Sequence, residues 1–222
     1  MATLTRFSQL TDTPAFRAAV RLARSIESAA GDFLMNVHTG KPVRFREQRG
    51  LNGDAFDFET NAHTTLVKVM RTVRLLPSDT VFVIGCGRGR AVCHFARRRV
   101  RKVIGIELDP SLCEDARSNA LSLRGRHAPI EIRHADAAAE DVGEGTVFFL
   151  FNPFGEQTLR AFLRNLESSH ARSPERLVIV YANPRYVHVF KEFEWLAVSH
   201  SYRGFGGLHV VIHQICANPG QR

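Results

Sequence analysis

The chain has 222 residues, 44% of them hydrophobic, with 30 Lys and Arg against 22 Asp and Glu for a net charge of +8 and a pI near 9.9. That length can bury over ~70% of the unfolded surface in one core. Met1–Arg6 lacks a signal-peptide run and no apolar stretch nears the ~20 residues of a membrane span, so a cytoplasmic protein without a membrane partner is expected. Cys86, Cys93, Cys113 and Cys216 form no C-x-x-C pair, which favours buried, reduced thiols over disulfides or a metal site.

In chain order, Thr13-Pro14 reads as an N-cap and first helical position, opening a helix to about Ala29. Phe16, Val20, Ala23 and Ile26 recur on one face and Arg17, Arg21 and Arg24 on another. The segment 31–61 lacks clear periodicity and reads as a substrate-covering loop or an irregular connection. A helix over 62–76, ending before Pro77, completes an N-terminal portion, 1–76, that belongs to the same domain as a core spanning 77–217. Strands are expected at 80–84, 102–107, 130–134, 146–151 and 175–181, with helices at 89–98, 110–123 and 156–168 between them, the βαβ rhythm of a parallel sheet. After a short helix at 185–192, segments 195–202 and 209–216 are joined by 203–208. That link is too short for a crossover and suits an antiparallel hairpin. The chain therefore reads as an α/β protein with a mostly parallel sheet, a C-terminal antiparallel hairpin and N-terminal helices.

The most informative stretch is Thr80-Val-Phe-Val-Ile-Gly-Cys-Gly-Arg-Gly-Arg90, answered by Val103-Ile-Gly-Ile-Glu107. An apolar strand runs into a glycine turn whose backbone can approach a ligand closely, and a second strand ends on a carboxylate placed to hold a ribose. An acid closing such an apolar run is costly to bury unless it meets donors. A dinucleotide turn would carry a third glycine or an alanine where this chain has Arg90.

Read as Gly-x-Gly-x-Gly, with Glu107 lying 18 residues beyond Gly89, the segment resembles the first two motifs of class I S-adenosylmethionine-dependent methyltransferases. The resemblance implies a Rossmann-like seven-stranded sheet and S-adenosylmethionine as cofactor. It assigns Gly85, Cys86, Gly87 and Gly89 to the cofactor turn, with Glu107 and the adjoining Leu108 at the ribose. Asp136 and Ala137 fall at the adenine position, where the carboxylate accepts from the amino group; otherwise Asp136 caps a short helix 137–141. Asn152-Pro153-Phe154-Gly155 is similar to the Asn-Pro-Pro-Tyr or Phe motif of amino-group methyltransferases, in which the Asn oxygen and following carbonyl align an acceptor nitrogen and the aromatic ring offers a packing face. It is closer still to the Asn-Pro-Phe-Gly motif of bacterial proteins grouped with the non-SET histone lysine methyltransferases. With one proline missing and the aromatic one place early, the segment also fits a simple strand terminator.

The acid that such enzymes commonly place two residues before the first glycine is here Val83. An upstream loop reaches the cofactor in the non-SET enzymes, and Glu59, within Phe56–Asn61, is the candidate to receive the methionine ammonium, with an ordinary helix-start charge as the alternative. His94, His209 and His213 read as packed or surface groups, and His63 as the best-placed proton acceptor, although amine methylation often needs only alignment. The run Arg97–Lys102 leads to the amino end of a strand, away from a cofactor crevice, whereas Lys41, Arg44, Arg46 and Arg49 are placed to greet an anionic substrate. The expected activity is methylation of a nitrogen on a protein, peptide or small molecule. A nucleic-acid methyltransferase and a non-catalytic cofactor-binding protein are the alternatives.

Overall fold

A computed structural model describes residues 14–40, 61–170, 176–203 and 208–215. Its elements are α1 (Pro14–Met35), α2 (His63–Thr72), β1 (Thr80–Ile84), α3 (Arg90–Ala96), β2 (Lys102–Glu107), α4 (Pro110–Ser122), β3 (Ile130–His134), β4 (Val147–Phe151), α5 (Glu156–His170), β5 (Val178–Ala182), a 3₁₀ helix (Val187–Glu192), β6 (Leu196–Arg203) and β7 (His209–Ile215). The strands form one seven-stranded sheet in the order β3-β2-β1-β4-β5-β7-β6. β1 to β5 run parallel, while β7 is antiparallel to both β5 and β6. The expected hairpin forms, and its second strand enters beside β5.

The apolar runs of β1, β4 and β5 are buried on both faces, as parallel strands flanked by helices must be. Side chains alternate between two cores. Val81, Val83, Val103, Phe149 and Val180 face Leu66 and Val69 of α2 and Val92 and Phe95 of α3. Phe82, Ile84, Ile104, Phe148 and Leu150 face Leu159, Phe162, Leu163 and Leu166 of α5. Both layers hold β1 rigidly, so its carboxyl end is a firm base for the turn that follows. No helix among the described residues is long and apolar enough to cross a membrane.

The helices depart from expectation at their ends and in one face. α1 runs on through Gly31 to Met35, and the glycine admits the His63 ring where any Cβ would collide with it. Its supposed apolar face does not pack: Ala23 and Ile26 are exposed and Val20 is only half-buried, while the side chains of Phe16 and Arg17 lie outside the described residues. The helix docks instead through Asp32 and Met35, whose side chains are buried. α2 stops at Thr72, and Arg74 follows in the left-handed region at φ 45°. The expected helix 137–141 is a turn, and the helix at 185–192 is the 3₁₀ segment.

Candidate functional site

The glycine turn leaves β1 with Gly85, Gly87 and Gly89 at φ 65°, 53° and 84°, a region that other residues adopt only with strain. Space demands glycine as well. A Cβ on Gly85 would stand 2.6 Å from Pro153 Cβ, and one on Gly89 would stand 3.2 Å from Ala116 Cβ of α4. Gly89 thus provides the close helix packing that a third glycine supplies in dinucleotide turns, and Arg90 is released for other work. Cys86 is buried between these glycines; burial first, then the Glu107 charge, pushes its thiol well above the ordinary range.

Glu107 closes β2 with its carboxylate turned back onto the turn. Oε2 accepts from Gly87 N at 2.8 Å, and Oε1 accepts from Leu108 N at 2.8 Å and Asp109 N at 3.1 Å. Burial raises the Glu107 pKa, and those three backbone donors oppose the rise. They also answer the desolvation cost anticipated for an acid at the end of an apolar strand. Leu108 is half-buried, with its carbonyl oxygen 3.0 Å from His134 Nε2. Beyond β3, Ala135 N donates to Glu107 O at 3.0 Å, so Asp136 and Ala137 emerge beside the acid. Asp136 Oδ1 accepts from Ala138 N at 2.9 Å, capping the turn, while Ala137 is buried.

The fourth-strand segment lies over the turn, as the contact of Pro153 with Gly85 requires. Asn152 takes φ 43°, a left-handed conformation that Asn tolerates better than most residues, and it is buried. Its Oδ1 accepts from Tyr181 Oη, at the end of β5, at 3.0 Å, and Tyr186 N donates to that same hydroxyl oxygen at 3.4 Å. Burial pushes the Tyr181 phenol up to about 12, so it remains a donor. Phe154 is buried too, and its ring packs 6.1 Å from that of Phe162. That ring is committed to the core, not offered as an open face.

A second polar cluster adjoins the turn. Arg90, only 4% exposed, opens α3 immediately after Gly89 and reaches back to the N-terminal segments. Its Nε donates to Thr39 Oγ1 at 2.5 Å, Nη1 to Asn61 O at 2.9 Å, and Nη2 to Ser28 Oγ at 2.6 Å and Asp32 Oδ1 at 3.3 Å. Asp32 also meets His63 Nε2 at 3.1 Å, and His63 Nδ1 lies 2.7 Å from His94 Nε2. Burial alone would raise Asp32, but hydrogen bonds from His63 and Thr39 and the Arg90 charge outweigh it and hold the carboxyl at about 2. Burial, then the neighbouring His63, lowers His94 to about 3. The ionised carboxylate makes His63 Nε2 a donor, and His63 Nδ1 is paired with His94 Nε2. His63, expected as the best-placed proton acceptor, is therefore engaged on both nitrogens. Asn61 Oδ1 beside this cluster is buried without a hydrogen-bond partner.

The structure thus gathers Gly85, Cys86, Gly87, Gly89, Glu107, Leu108, Asp136, Ala137, Asn152, Pro153 and Phe154 at the carboxyl ends of β1 to β4. Glu59, Lys41, Arg44, Arg46 and Arg49 lie outside the described residues. The exposed Arg97, Arg98 and Arg99 precede β2, and Lys102 is paired with Glu131 at 2.6 Å. Sequence reasoning missed the Arg90 cluster and the Tyr181–Asn152 bond. A large cation in a place usually given to a small residue was the available signal for the former.

Residues 81–169 match the family model described as a methyltransferase domain. Among solved structures, an RNA methyltransferase from Salinibacter ruber in complex with S-adenosyl-L-homocysteine is 22% identical with a TM-score of 0.54, over 74% of this chain and 98% of that one. A ribosomal protein L11 methylase from Lactobacillus delbrueckii subsp. bulgaricus is 16% identical with a TM-score of 0.57, over 75% and 83%. TrmN from Thermus thermophilus is 18% identical with a TM-score of 0.55, over 68% and 48%. No curated protein matches the sequence. The seven-stranded sheet is thus the Rossmann-like fold of these methyltransferase structures, and the family match covers the central part of the chain.

Proposed function

We propose that this methyltransferase uses S-adenosylmethionine to methylate a nitrogen on a protein, peptide or small molecule, with the ends of β1 to β4 as its site. The observation that carries the reading is the contact between Pro153 and Gly85, which sets the Asn152 segment directly over the cofactor turn. The cradle fits the cofactor: positive φ at three glycines opens the backbone to a ligand, and Glu107 presents an acceptor beside it. Bound there, S-adenosylmethionine supplies a methyl group activated by its sulfonium. Glu107 would hold the ribose through the Oε2 lone pair that Gly87 leaves open, with Leu108 adjoining, and Asp136 with Ala137 would receive the adenine. Glu59 supplies the anion for the methionine ammonium that Val83 does not.

Asn152 performs the alignment. With Tyr181 Oη on one lone pair of Oδ1, the second lone pair and the backbone carbonyl remain to accept from an acceptor amine and aim its own lone pair at the methyl group. Alignment of this kind removes much of the entropic barrier, and no dedicated base is required when the amine arrives neutral. The Asn-Pro-Phe-Gly sequence also supports a relation to the bacterial proteins grouped with the non-SET lysine methyltransferases. A net charge of +8 favours a second reading, a nucleic-acid substrate.

The test is incubation with methyl-labelled cofactor and host extract, followed by fractionation. Label in protein or small molecules that survives nuclease supports the proposal. Label in RNA or DNA, released by nuclease and falling steeply with salt as phosphate contacts release counterions, selects the second reading. Cofactor binding without label in any fraction makes the protein a non-catalytic binder.

A further inference from the structure

α1 leaves a broad apolar face without a partner among the described residues. Leu22 is 62% exposed, Ile26 61%, Phe33 76% and Leu34 69%. At 3.6 residues per turn, Leu22, Ile26 and Phe33 fall within about 40° of one another around the helix. The gaps between them are filled by exposed alanines, Ala19, Ala23, Ala29 and Ala30. The exposed Arg21 and Arg24 stand about 100° or more from Leu22, toward the opposite side. Nor does the stripe end with the helix. Asn36 Nδ2 donates to Ser122 O at 2.8 Å and Arg124 N to Met35 O at 2.9 Å, which seats the end of α1 against the end of α4, where Leu121 is 84% exposed.

We infer that this face is the interface of a homodimer in which α1 packs antiparallel against α1 of a second copy. Charge selects this occupant. A lipid headgroup or a nucleic-acid phosphate needs cations at the contact, and the arginines lie on the far side; an uncharged face is complementary to itself. Shape agrees with it. A two-fold axis near the middle of the stripe sets Leu22 of one protomer beside Phe33 of the other and Ile26 beside Ala29, so large side chains meet small ones. That pairing repeats identically in both directions, as an isologous contact must. Four large side chains exposed by more than half, with the alanines between them, offer roughly the ~800 Å² per partner of a standard interface. The polar docking of α1 explains why the face is left over: Asp32, Ser28 and Gly31 bind the helix to its own domain through Arg90 and His63, on the side away from Leu22 and Ile26.

Sedimentation velocity and light scattering on the full chain, across low to high micromolar concentration, test the inference. The wild type runs as a dimer, and Ile26→Glu and Phe33→Glu each raise the dimer dissociation constant at least ~100-fold, since each buries an unpaired charge in the seam. Both positions are exposed within the protomer, so the variants keep the wild-type circular dichroism, while the wild type alone melts higher as its concentration rises. A wild type that is monomeric throughout overturns the inference, whether the face is covered by its own chain or recruits the monomer to phosphatidylserine vesicles. A dimer that survives both substitutions overturns it as well.

Discussion

Arg90→Met keeps the length of a buried side chain while removing the guanidinium that binds Ser28, Asp32, Thr39 and Asn61 to the start of α3. Breaking a buried ion pair by deleting one partner typically costs 3–5 kcal/mol, because the remaining charge is left uncompensated. Asp32 retains His63 Nε2 and the backbone and hydroxyl of Thr39 as donors, at 3.1, 2.7 and 2.6 Å, so the loss should sit at the low end, about 3 kcal/mol. Urea unfolding followed by far-UV circular dichroism reads this directly. Asp32→Asn should also destabilise, yet the double variant should be less destabilised than the sum by about 1–3 kcal/mol, since the two groups touch. The same pair fixes a pH dependence. Asp32 is lowered from 3.8 to about 2, so its contribution is present above pH 3.8 and is lost as pH falls through 2. A loss below ~1 kcal/mol for Arg90→Met, or additive single variants, would refute the claim that this cluster clamps the N-terminal helix to the glycine turn.

Glu107→Ala should weaken S-adenosylmethionine and S-adenosylhomocysteine by about 2–4 kcal/mol in calorimetry, and unchanged affinity removes Glu107 from the site. Asn152→Ala should retain cofactor affinity and lose about 1–3 kcal/mol of transition-state stabilisation; wild-type kcat would reduce the segment to strand termination. Tyr181→Phe should lower kcat by about 1 kcal/mol equivalent through a loosened Asn152, without altering cofactor binding, and a matching loss of cofactor affinity would place Tyr181 elsewhere in the mechanism. His94 is held neutral, lowered from 6.5 to about 3, so its stabilisation is present above pH 6.5 and declines as pH falls toward 3, by about 1.4 kcal/mol per unit; a His94→Gln melting profile as steep as wild type over that range refutes it.

The sheet was legible because its strands are short apolar runs separated by glycine or proline, and both cores require that pattern. β2 and β3 fall at the expected residues because Lys102 and Glu107, and Ile130 and His134, bracket runs that no helix accommodates. The glycine turn was legible for a different reason, since glycine at alternate positions marks backbone in the left-handed region, as φ at Gly85, Gly87 and Gly89 bears out. α1 was misread. Its periodicity was real, but amphipathic spacing does not say which face meets the domain, and here buried polar groups dock it. The Arg90 cluster escaped notice because its members come from 28–39, 61–63 and 90–94, stretches whose adjacency only the fold creates. Phe154 illustrates the same limit: an aromatic after Asn-Pro reads equally as a platform or as core, and the ring of Phe162 decides it.

The position of β7 has a bearing on how the chain is made. β6 is hydrogen-bonded to the sheet only through β7, which fills the slot between it and β5. As synthesis proceeds, β5 is complete at Ala182, yet its outer edge stays open until Ile215 has followed. At roughly 5–20 residues per second, that interval lasts about 2–7 seconds. Throughout it, a fully apolar strand presents unpaired backbone groups of the kind that template association between nascent chains. This sheet does not close strand by strand in chain order: β6 can join it only with or after β7, so the two are added as a hairpin whose second strand docks on β5.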